Sequence, residues 1–506
     1  MKRREVLTSL ASLPVLGLFA YGLLRKRGVE NRMYADIPGL EFLGERNIPV
    51  VKNADAGELR IGIIGFGGRG HYLARALGFA HPDWIKAARE KKQLNSHDMT
   101  YDFFMEQENL NVRITGICDV YEPNAESGVV VSDSREGPGG NTPGIGPARR
   151  YEHYHEMLAS DDIDAVIIAT PDHWHATMAM DAARAGKHVY LEKPMAQTEQ
   201  EVHDMVKVIR ESGIVFQLGH QNHQVDTHIK ARKLVDHGFL GKMTLIQGTF
   251  NRYRAPSVPR NRVLTSRNIN WEDWQGPAPS RVPLSVDRFF NWYYYFDYSQ
   301  GQFGQLFCHE YAAINQVAGI GIPASITSVG GNYVWYRDRY EVPNVFAVNC
   351  DYPEQELLLN FSLTLGNAMM RRRLFMGTDA TMQVDAGLRV WPELNSEKYR
   401  NIEMVKNLPE GEPMIHYQGG KQVDGISSAT SRSFENKGIH NMWIDGKVIN
   451  TAHLHLVDWI NCIRNGGTPR CHIQLGFEEA ITIIMAATSY REKRKVEWDP
   501  HHQRIV

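Results

Sequence analysis

The stretch ELRIGIIGFGGRGHYLARAL, Glu58 to Leu77, changes its period halfway through. Ile61, Ile63 and Ile64 make a short apolar strand, and Tyr72, Leu73, Ala76 and Leu77 then recur at helical spacing. Between them, Gly65-Phe66-Gly67-Gly68-Arg69-Gly70 fits the pattern G-x-G-x-x-G. In a strand-to-helix turn the first glycine allows the tight bend and the second lets the backbone approach a pyrophosphate. The third lets the helix pack close, and the helix N-terminus turns its positive dipole end to the phosphates. A dinucleotide-binding turn is expected here, against the plainer reading of a glycine-rich loop without a ligand.

Working outward, strands alternate with helices. VRITGICDV (Val112 to Val120), DAVIIATP (Asp164 to Pro171), HVYLEKP (His188 to Pro194) and IVFQLGH (Ile214 to His220) read as further strands. WHATMAMDAARAGK is a helix closed by Gly186, and TEQEVHDMVKVIRESG opens on a Thr198/Glu201 capping box. The alternation predicts a doubly wound α/β domain whose parallel sheet is covered on both faces. Residues 78–111 form a charged, helical excursion, and 133–149 a loop rich in Gly and Pro. Past residue 221, TLIQGTFNRY, SITSVGGNYVWY, VFAVNCDYP and ELLLNFSLTL are β-branched and aromatic strands without regular helices between them. They predict a second, α+β domain with a mostly antiparallel sheet. The division is 1–27 leader, 28–57 linker, 58–220 nucleotide-binding domain and 221–506 second domain.

The totals exclude less. The chain has 506 residues and a formal net charge of −2, which gives no reason to expect nucleic acid. Five scattered cysteines argue against a disulfide framework. The N-terminus carries Arg3-Arg4, an uncharged stretch over residues 6–24 and a second basic cluster at 25–27. That pattern is similar to a twin-arginine export signal and predicts a periplasmic or other extracytoplasmic protein, with residues 6–24 as a membrane-anchoring alternative; a cytoplasmic protein with an apolar leader is the rival.

Several positions carry candidate chemistry. Asp119, ending the second strand, is the acidic candidate for the adenosine ribose, although it stands well past the usual ~20 residues after the glycines. The excursion at 78–111 accounts for the excess. An Asp there disfavours a 2′-phosphate, so NAD is expected over NADP. Thr170, Pro171, His173 and His175 in ATPDHWHA lie at the carboxyl end of a strand, where such sheets bind ligands. His173, His175, His220, His223 and His228 invite a metal reading, but no nearby Cys or carboxylate completes a ligand set, and no metal is expected. Glu192 and Lys193 share the same sheet edge; they are either a solvated ion pair or a lysine held over a pocket.

GIIGFGGRG, TPDHWH, AGKHVYLEKPM and GKM, in this order, resemble the Gfo/Idh/MocA family of nucleotide-dependent sugar oxidoreductases, with looser similarity reaching to about residue 500. NWEDWQGPAPSRVP, GTDATMQVD and YREKRKVEWDP are similar to its longer, often exported members. The resemblance implies an open, mostly antiparallel sheet in the second domain, a carbohydrate substrate and homo-oligomers. It places Lys193 beside the nicotinamide and the reacting hydroxyl, with Gly65, Phe66, Gly67, Gly68, Arg69, Gly70, Asp119, Glu192 and Gln221 toward the cofactor. A histidine of a D-x-x-x-H pattern is implied in the second domain; GQFGQLFCHEY puts His309 there, with Gln305 in the aspartate's position and Glu310 as a candidate replacement for its charge. Gln305, His220 and Tyr294 are the substrate-facing candidates, Tyr294 lying in the aromatic run Phe289 to Tyr298. The expected activity is hydride transfer between nicotinamide and a secondary hydroxyl of a sugar, glycoside or polyol, with Lys193 and His309 handling protons. Two rivals share the fold: a glycosidase or paired sugar oxidoreductase that recycles a retained NAD, and a non-catalytic sugar- or nucleotide-binding protein.

Overall fold

The computed structural model describes residues 49–506 apart from 53–56, 97, 135, 139–145, 261, 336–337, 370, 386, 419–440 and 445–446. The expected leader over 1–27, its apolar stretch 6–24, most of the 28–57 linker and the centre of the 133–149 loop lie outside the described residues. Among the described residues no helix is long and apolar enough to cross a membrane.

The first sheet is built from the predicted strands. β1 (Leu59–Ile64) runs into helix α1 (Gly68–Leu77), and the excursion folds as α2 (Pro82–Leu94) and α3 (Thr100–Met105). Then follow β2 (Val112–Cys118), the short β3 (Arg149–Arg150), β4 (Ala165–Ile168), α4 (His175–Arg184), β5 (His188–Leu191), α5 (Glu199–Ser212) and β6 (Phe216–Leu218). The order is β3-β2-β1-β4-β5-β6, with every pairing parallel. Both faces are covered, so Val189, Tyr190 and Leu191 of β5 are all buried and the strand does not alternate as its sequence suggests. Chain direction across the sheet reverses between β1 and β4, which opens a crevice at their carboxyl ends.

The second sheet has ten strands. β7 (Met243–Asn251) is followed by helix α6 (Cys308–Ala318), β8 (Ser325–Gly331), β9 (Val345–Tyr352), β10 (Leu357–Thr364), β11 (Arg372–Gly377), β12 (Ala380–Val384), β13 (Gly387–Pro392) and β14 (Ile415–Gln418). A separate hairpin of β15 (Asn441–Ile444) and β16 (Lys447–Asn450) leads to helices α7 (Thr451–Asn465) and α8 (Ile473–Glu492). The chain ends in β17 (Val496–Asp499) and β18 (Arg504–Ile505). The order is β14-β13-β12-β11-β7-β10-β9-β8-β17-β18. All pairs are antiparallel except β7 with β10, which run parallel because the long connection between them carries α6 across the sheet. Burial alternates along β9 and β10, so one face is packed and the other open.

One element crosses back. Ala452, Leu456, Val457, Trp459 and Ile460 of α7 join the core formed by Leu59, Ile61, Ile63 and Tyr190 of the parallel sheet. The Trp459 and Tyr190 rings meet edge to face at 5.7 Å. His455 on the same helix is fully buried, its Nε2 2.9 Å from the Leu218 carbonyl at the end of β6 and its Nδ1 3.3 Å from Gln224 Nε2. Burial pushes its imidazole down to about 3, so the folded protein holds it neutral. Between pH 6.5 and about 3 the unfolded chain binds a proton there that the folded chain does not, so stability falls as pH falls through this window, by about 1.4 kcal/mol per unit per such group. Denaturant titrations at pH 7, 6, 5 and 4.5 should show this decline. The His455→Gln variant, which cannot gain the proton, should have a shallower dependence over the same range.

Candidate active site

A cleft of about 340 Å³ opens at the β1/β4 switch point, walled on one side by the glycine turn and on the other by the second domain. Gly65 stands at φ 85°, and a Cβ there would meet the Ala169 backbone at 2.8 Å. At Gly70 a Cβ would lie 2.5 Å from the Gly65 carbonyl oxygen, so only glycine lets α1 begin this close to β1. Gly68 has nothing within 4 Å of its missing Cβ and lines the cleft. This is an open backbone cradle at a helix N-terminus, the arrangement that accepts a pyrophosphate. The Phe66 side chain is buried in the core instead, and its N–H donates to Asp119 Oδ2 at 2.6 Å. Asp119 also accepts from the Tyr121 N–H at 2.8 Å and from Asn124 Nδ2 at 3.2 Å. Burial raises its carboxyl from the usual range against these three bonds. The insertion before β2 therefore leaves Asp119 where the shorter spacing would have put it, beside the glycine turn and in the cleft wall.

The Glu192-Lys193 pair is not a solvated turn. Both residues are buried, at 4% and 7% exposure. They do not bind each other. Glu192 faces Arg69, Nε to Oε2 3.6 Å, and accepts from Gln221 Nε2 at 3.1 Å. Gln221 donates as well to the Tyr190 hydroxyl at 2.7 Å, so it braces Glu192 from beneath the cleft. Lys193 turns the other way and donates from Nζ to Gln305 Oε1 at 3.0 Å and to the Gln305 carbonyl at 3.3 Å. The Lys193–Pro194 peptide bond is cis.

Gln305 lies in a π-helical turn, Phe303–Phe307, at the entry to α6; such turns recur where a helix must aim a side chain. Its amide nitrogen donates to Asp172 Oδ2 at 2.7 Å. Asp172 accepts a second bond on the same oxygen, from Ser299 Oγ at 2.6 Å. The sequence reading missed Asp172, whose signal was its place in TPDHWH beside two histidines. Glu310, the expected substitute for the absent aspartate, faces away: it is fully buried against Arg371 and Arg373. The carboxylate near the lysine thus comes from the first domain.

His309 is half-buried on α6, edge-on to His220 with ring centroids 5.5 Å apart. Burial, reinforced by the positive charge of Lys193, holds its imidazole well below the usual range, so it is neutral and a weak base, and it stands outside the cleft wall. His220 is buried against Glu479 and stands outside the cleft wall. His220, Cys308 and Glu479 bring a nitrogen, a thiol and a carboxylate within 4.8 Å of one another, a juxtaposition of distant residues that the sequence could not show. The direct His220–Glu479 contact and the Cys308 hydrogen bond to the Gly304 carbonyl engage part of that group, while His220 Nδ1 and Glu479 Oε1 are buried without a hydrogen-bond partner.

Thr170 and Pro171 line the cleft, but His173 and His175 are taken up by backbone. His173 Nε2 is 2.8 Å from the Trp274 carbonyl, and burial pushes its imidazole down to about 4. His175 stands between the Pro194 carbonyl, 2.7 Å from Nδ1, and the Thr170 carbonyl, 3.0 Å from Nε2. It ties the lysine turn to the β4 turn. Tyr294 is buried and lies outside the cleft wall, whereas Phe289, Phe290 and Trp292 of the same aromatic run line it, together with Trp274, which stacks on Trp271 at 4.5 Å.

Comparison with known proteins agrees with this fold. Residues 59–220 match the sequence model of the Gfo/Idh/MocA oxidoreductase family, NAD-binding Rossmann fold. An uncharacterized oxidoreductase of Streptococcus pneumoniae is 26% identical over 205 residues, covering 40% of this chain and 47% of that protein. A levoglucosan dehydrogenase of Pseudarthrobacter phenanthrenivorans is 33% identical over 97 residues, 19% of this chain and 25% of the relative. An inositol 2-dehydrogenase of Salmonella paratyphi B is 27% identical over 117 residues, 23% of this chain and 34% of the relative. The chain thus spans half or less of the length of these curated relatives. Among solved structures, levoglucosan dehydrogenase in complex with NADH and levoglucosan superposes with a TM-score of 0.57 at 16% identity, over 87% of this chain and 99% of that one. A WlbA dehydrogenase from Bordetella pertussis in complex with NADH and UDP-GlcNAcA gives 0.53 at 16% identity, with the same coverage. These likenesses carry the fold across both domains. The glycine cradle, the strand order and the sequence match agree: residues 59–220 fold as a Rossmann domain and match the NAD-binding domain of the Gfo/Idh/MocA oxidoreductase family.

Proposed function

We propose that the protein is an NAD-dependent oxidoreductase that transfers a hydride between nicotinamide and a secondary hydroxyl of a sugar, glycoside or related polyol. The observation that carries this reading is Lys193: a buried amine in the wall of a nucleotide-type cleft, held toward the second domain rather than paired with Glu192. Gly65, Gly67, Gly68 and Arg69 would hold the nucleotide's phosphates and Asp119 its adenosine ribose. When bound, the nicotinamide supplies the hydride acceptor. The Lys193 amine takes the proton of the substrate hydroxyl as the C–H bond breaks, and His309, held neutral by burial and by the lysine's charge, relays the proton without retaining it. Phe289, Phe290 and Trp292 give an apolar, aromatic wall suited to the face of a sugar ring. The curated relatives named as levoglucosan and inositol dehydrogenases support the substrate class.

Two further proposals rest on the sequence and the shape. The Arg3-Arg4 leader supports twin-arginine-type export, checked by the mass of the N-terminal peptide in fractionated cells. The open face of the ten-stranded sheet supports a homo-oligomer, checked by light scattering.

The first test is to denature the purified protein, identify the released nucleotide by mass, and follow reduced nicotinamide against a panel of sugars and glycosides. Steady accumulation of reduced nucleotide is expected. Release of an aglycone without net reduction would replace the dehydrogenase with the NAD-recycling glycosidase. Lys193→Met should keep nucleotide binding and lose about 10²–10⁴ in kcat, the range of one positioned general base. A variant with full turnover would end the assignment.

A second expectation concerns the nucleotide itself. The Asp119 carboxylate repels a 2′-phosphate, so NAD should bind more tightly than NADP. Asp119→Ser should weaken NAD binding and narrow that preference, as read by fluorescence titration with both nucleotides. An unchanged ratio would remove Asp119 from the ribose site.

A further inference from the structure

We propose that Asp172 is the positioning carboxylate of the reaction centre, acting on Lys193 through the side chain of Gln305. The proposal deepens the reading of Lys193 as the proton-handling group, and it rests on a continuous chain of hydrogen bonds. Ser299 Oγ donates to Asp172 Oδ2 at 2.6 Å, Gln305 Nε2 donates to the same oxygen at 2.7 Å, and Lys193 Nζ donates to Gln305 Oε1 at 3.0 Å. Asp172 is 2% exposed. An amide has one donor end and one acceptor end, so a carboxylate on the nitrogen fixes the oxygen toward the lysine. The reverse orientation would set an N–H₂ against an ammonium and an oxygen against a carboxylate.

The other carboxylates near the lysine are already engaged. Glu192 faces Arg69 and Gln221, and Glu310 is buried between Arg371 and Arg373. Asp172 is faced by His175 from α4, by Lys193 from the end of β5 and by Cys308 at the start of α6. Lys193 is faced by Cys308 and His309 from α6, with the Arg69–Glu192 pair across the cleft wall. In this setting Asp172 supplies the negative charge that the glutamine at 305 cannot. Burial raises its carboxyl from the usual range, while His175, Lys193 and the bonds from Ser299 and Gln305 oppose the rise. The charge thus lies one amide away from the amine, and the Gln305 side chain carries the orienting contact between them.

The test uses Asp172→Asn, which keeps the shape and removes the charge, and Asp172→Asn/Gln305→Glu, which moves the charge onto the lysine's immediate partner. In the protein as purified, the rate at which acetic anhydride acetylates Lys193 is measured against pH by peptide mass spectrometry. Asp172→Asn should move the midpoint of that profile down by about one pH unit, a tenfold gain in reactivity on its acidic side. The double variant should return the midpoint to the wild-type value or above it. An unmoved midpoint in the single variant, or a double variant that stays at the single variant's value, overturns the proposal. If Asp172→Asn fails to fold, Gln305→Leu cuts the same chain from its other end and must lower the midpoint too; an unmoved value there is equally fatal. Acetylation does not require turnover. A wild-type protein that oxidises no sugar, yet shows these shifts, refutes the proposed function and leaves the Asp172 chain standing.

Discussion

The hydrogen bond from Lys193 to Gln305 is the constraint on which the rest of the site depends. A buried ammonium without a partner is expensive, and neither domain alone supplies one. The first domain brings the lysine to the carboxyl edge of a parallel sheet by way of β5. The second brings Gln305 on a π-helical turn that leads into α6. Only when the two are docked does the lysine find acceptors, at 3.0 Å and 3.3 Å on the same residue. The cleft between the domains is therefore shaped by a bond that crosses it, and the groups on either side are held to ångström tolerance by that bond.

Around this contact, polar side chains are tied to the backbone and to one another. His175 joins the turn after β4 to the turn after β5 through two carbonyls. His173 fixes the loop that carries Trp274. Gln221 holds Glu192, and Glu192 in turn faces Arg69 beside the glycine cradle. A mesh of this kind makes the turns rigid, and burial keeps His173 neutral within it. The aromatic run divides its labour in the same way: Tyr294 and Tyr298 are buried, while Phe289, Phe290 and Trp292 face the cleft.

How far the site was legible in the sequence follows from the range of each interaction. The glycine turn was legible because three glycines at fixed spacing answer to local sterics: Gly65 against Ala169, Gly70 against its own turn. The residues around Lys193 left a solvated ion pair and a lysine over a pocket both open, and only the resemblance placed it at the nicotinamide; its burial comes from strands and a second domain that pack around it. His173 and His175 look the same in the sequence as cleft residues, and only the placement of Trp274 and Pro194 shows otherwise. Asp172 was passed over because its partners, Ser299 and Gln305, come from the other domain. Helix α7 was read as part of the second domain, and nothing in its own apolar pattern says that it covers the first sheet. The parallel β7–β10 pair was hidden for the same reason, since register across a long connection leaves no local trace.

The change at position 305 then has a physical meaning beyond loss of an aspartate. With a carboxylate at 305, the charge that governs the lysine would sit on the second domain, and any relative motion of the domains would change the lysine's affinity for its proton. In this chain the charge sits on Asp172, in the turn after β4, and the lysine in the turn after the adjacent strand β5. His175 clamps those two turns together. Charge and amine are thus fixed to one sheet edge, and the second domain contributes a neutral relay that orients without setting the charge.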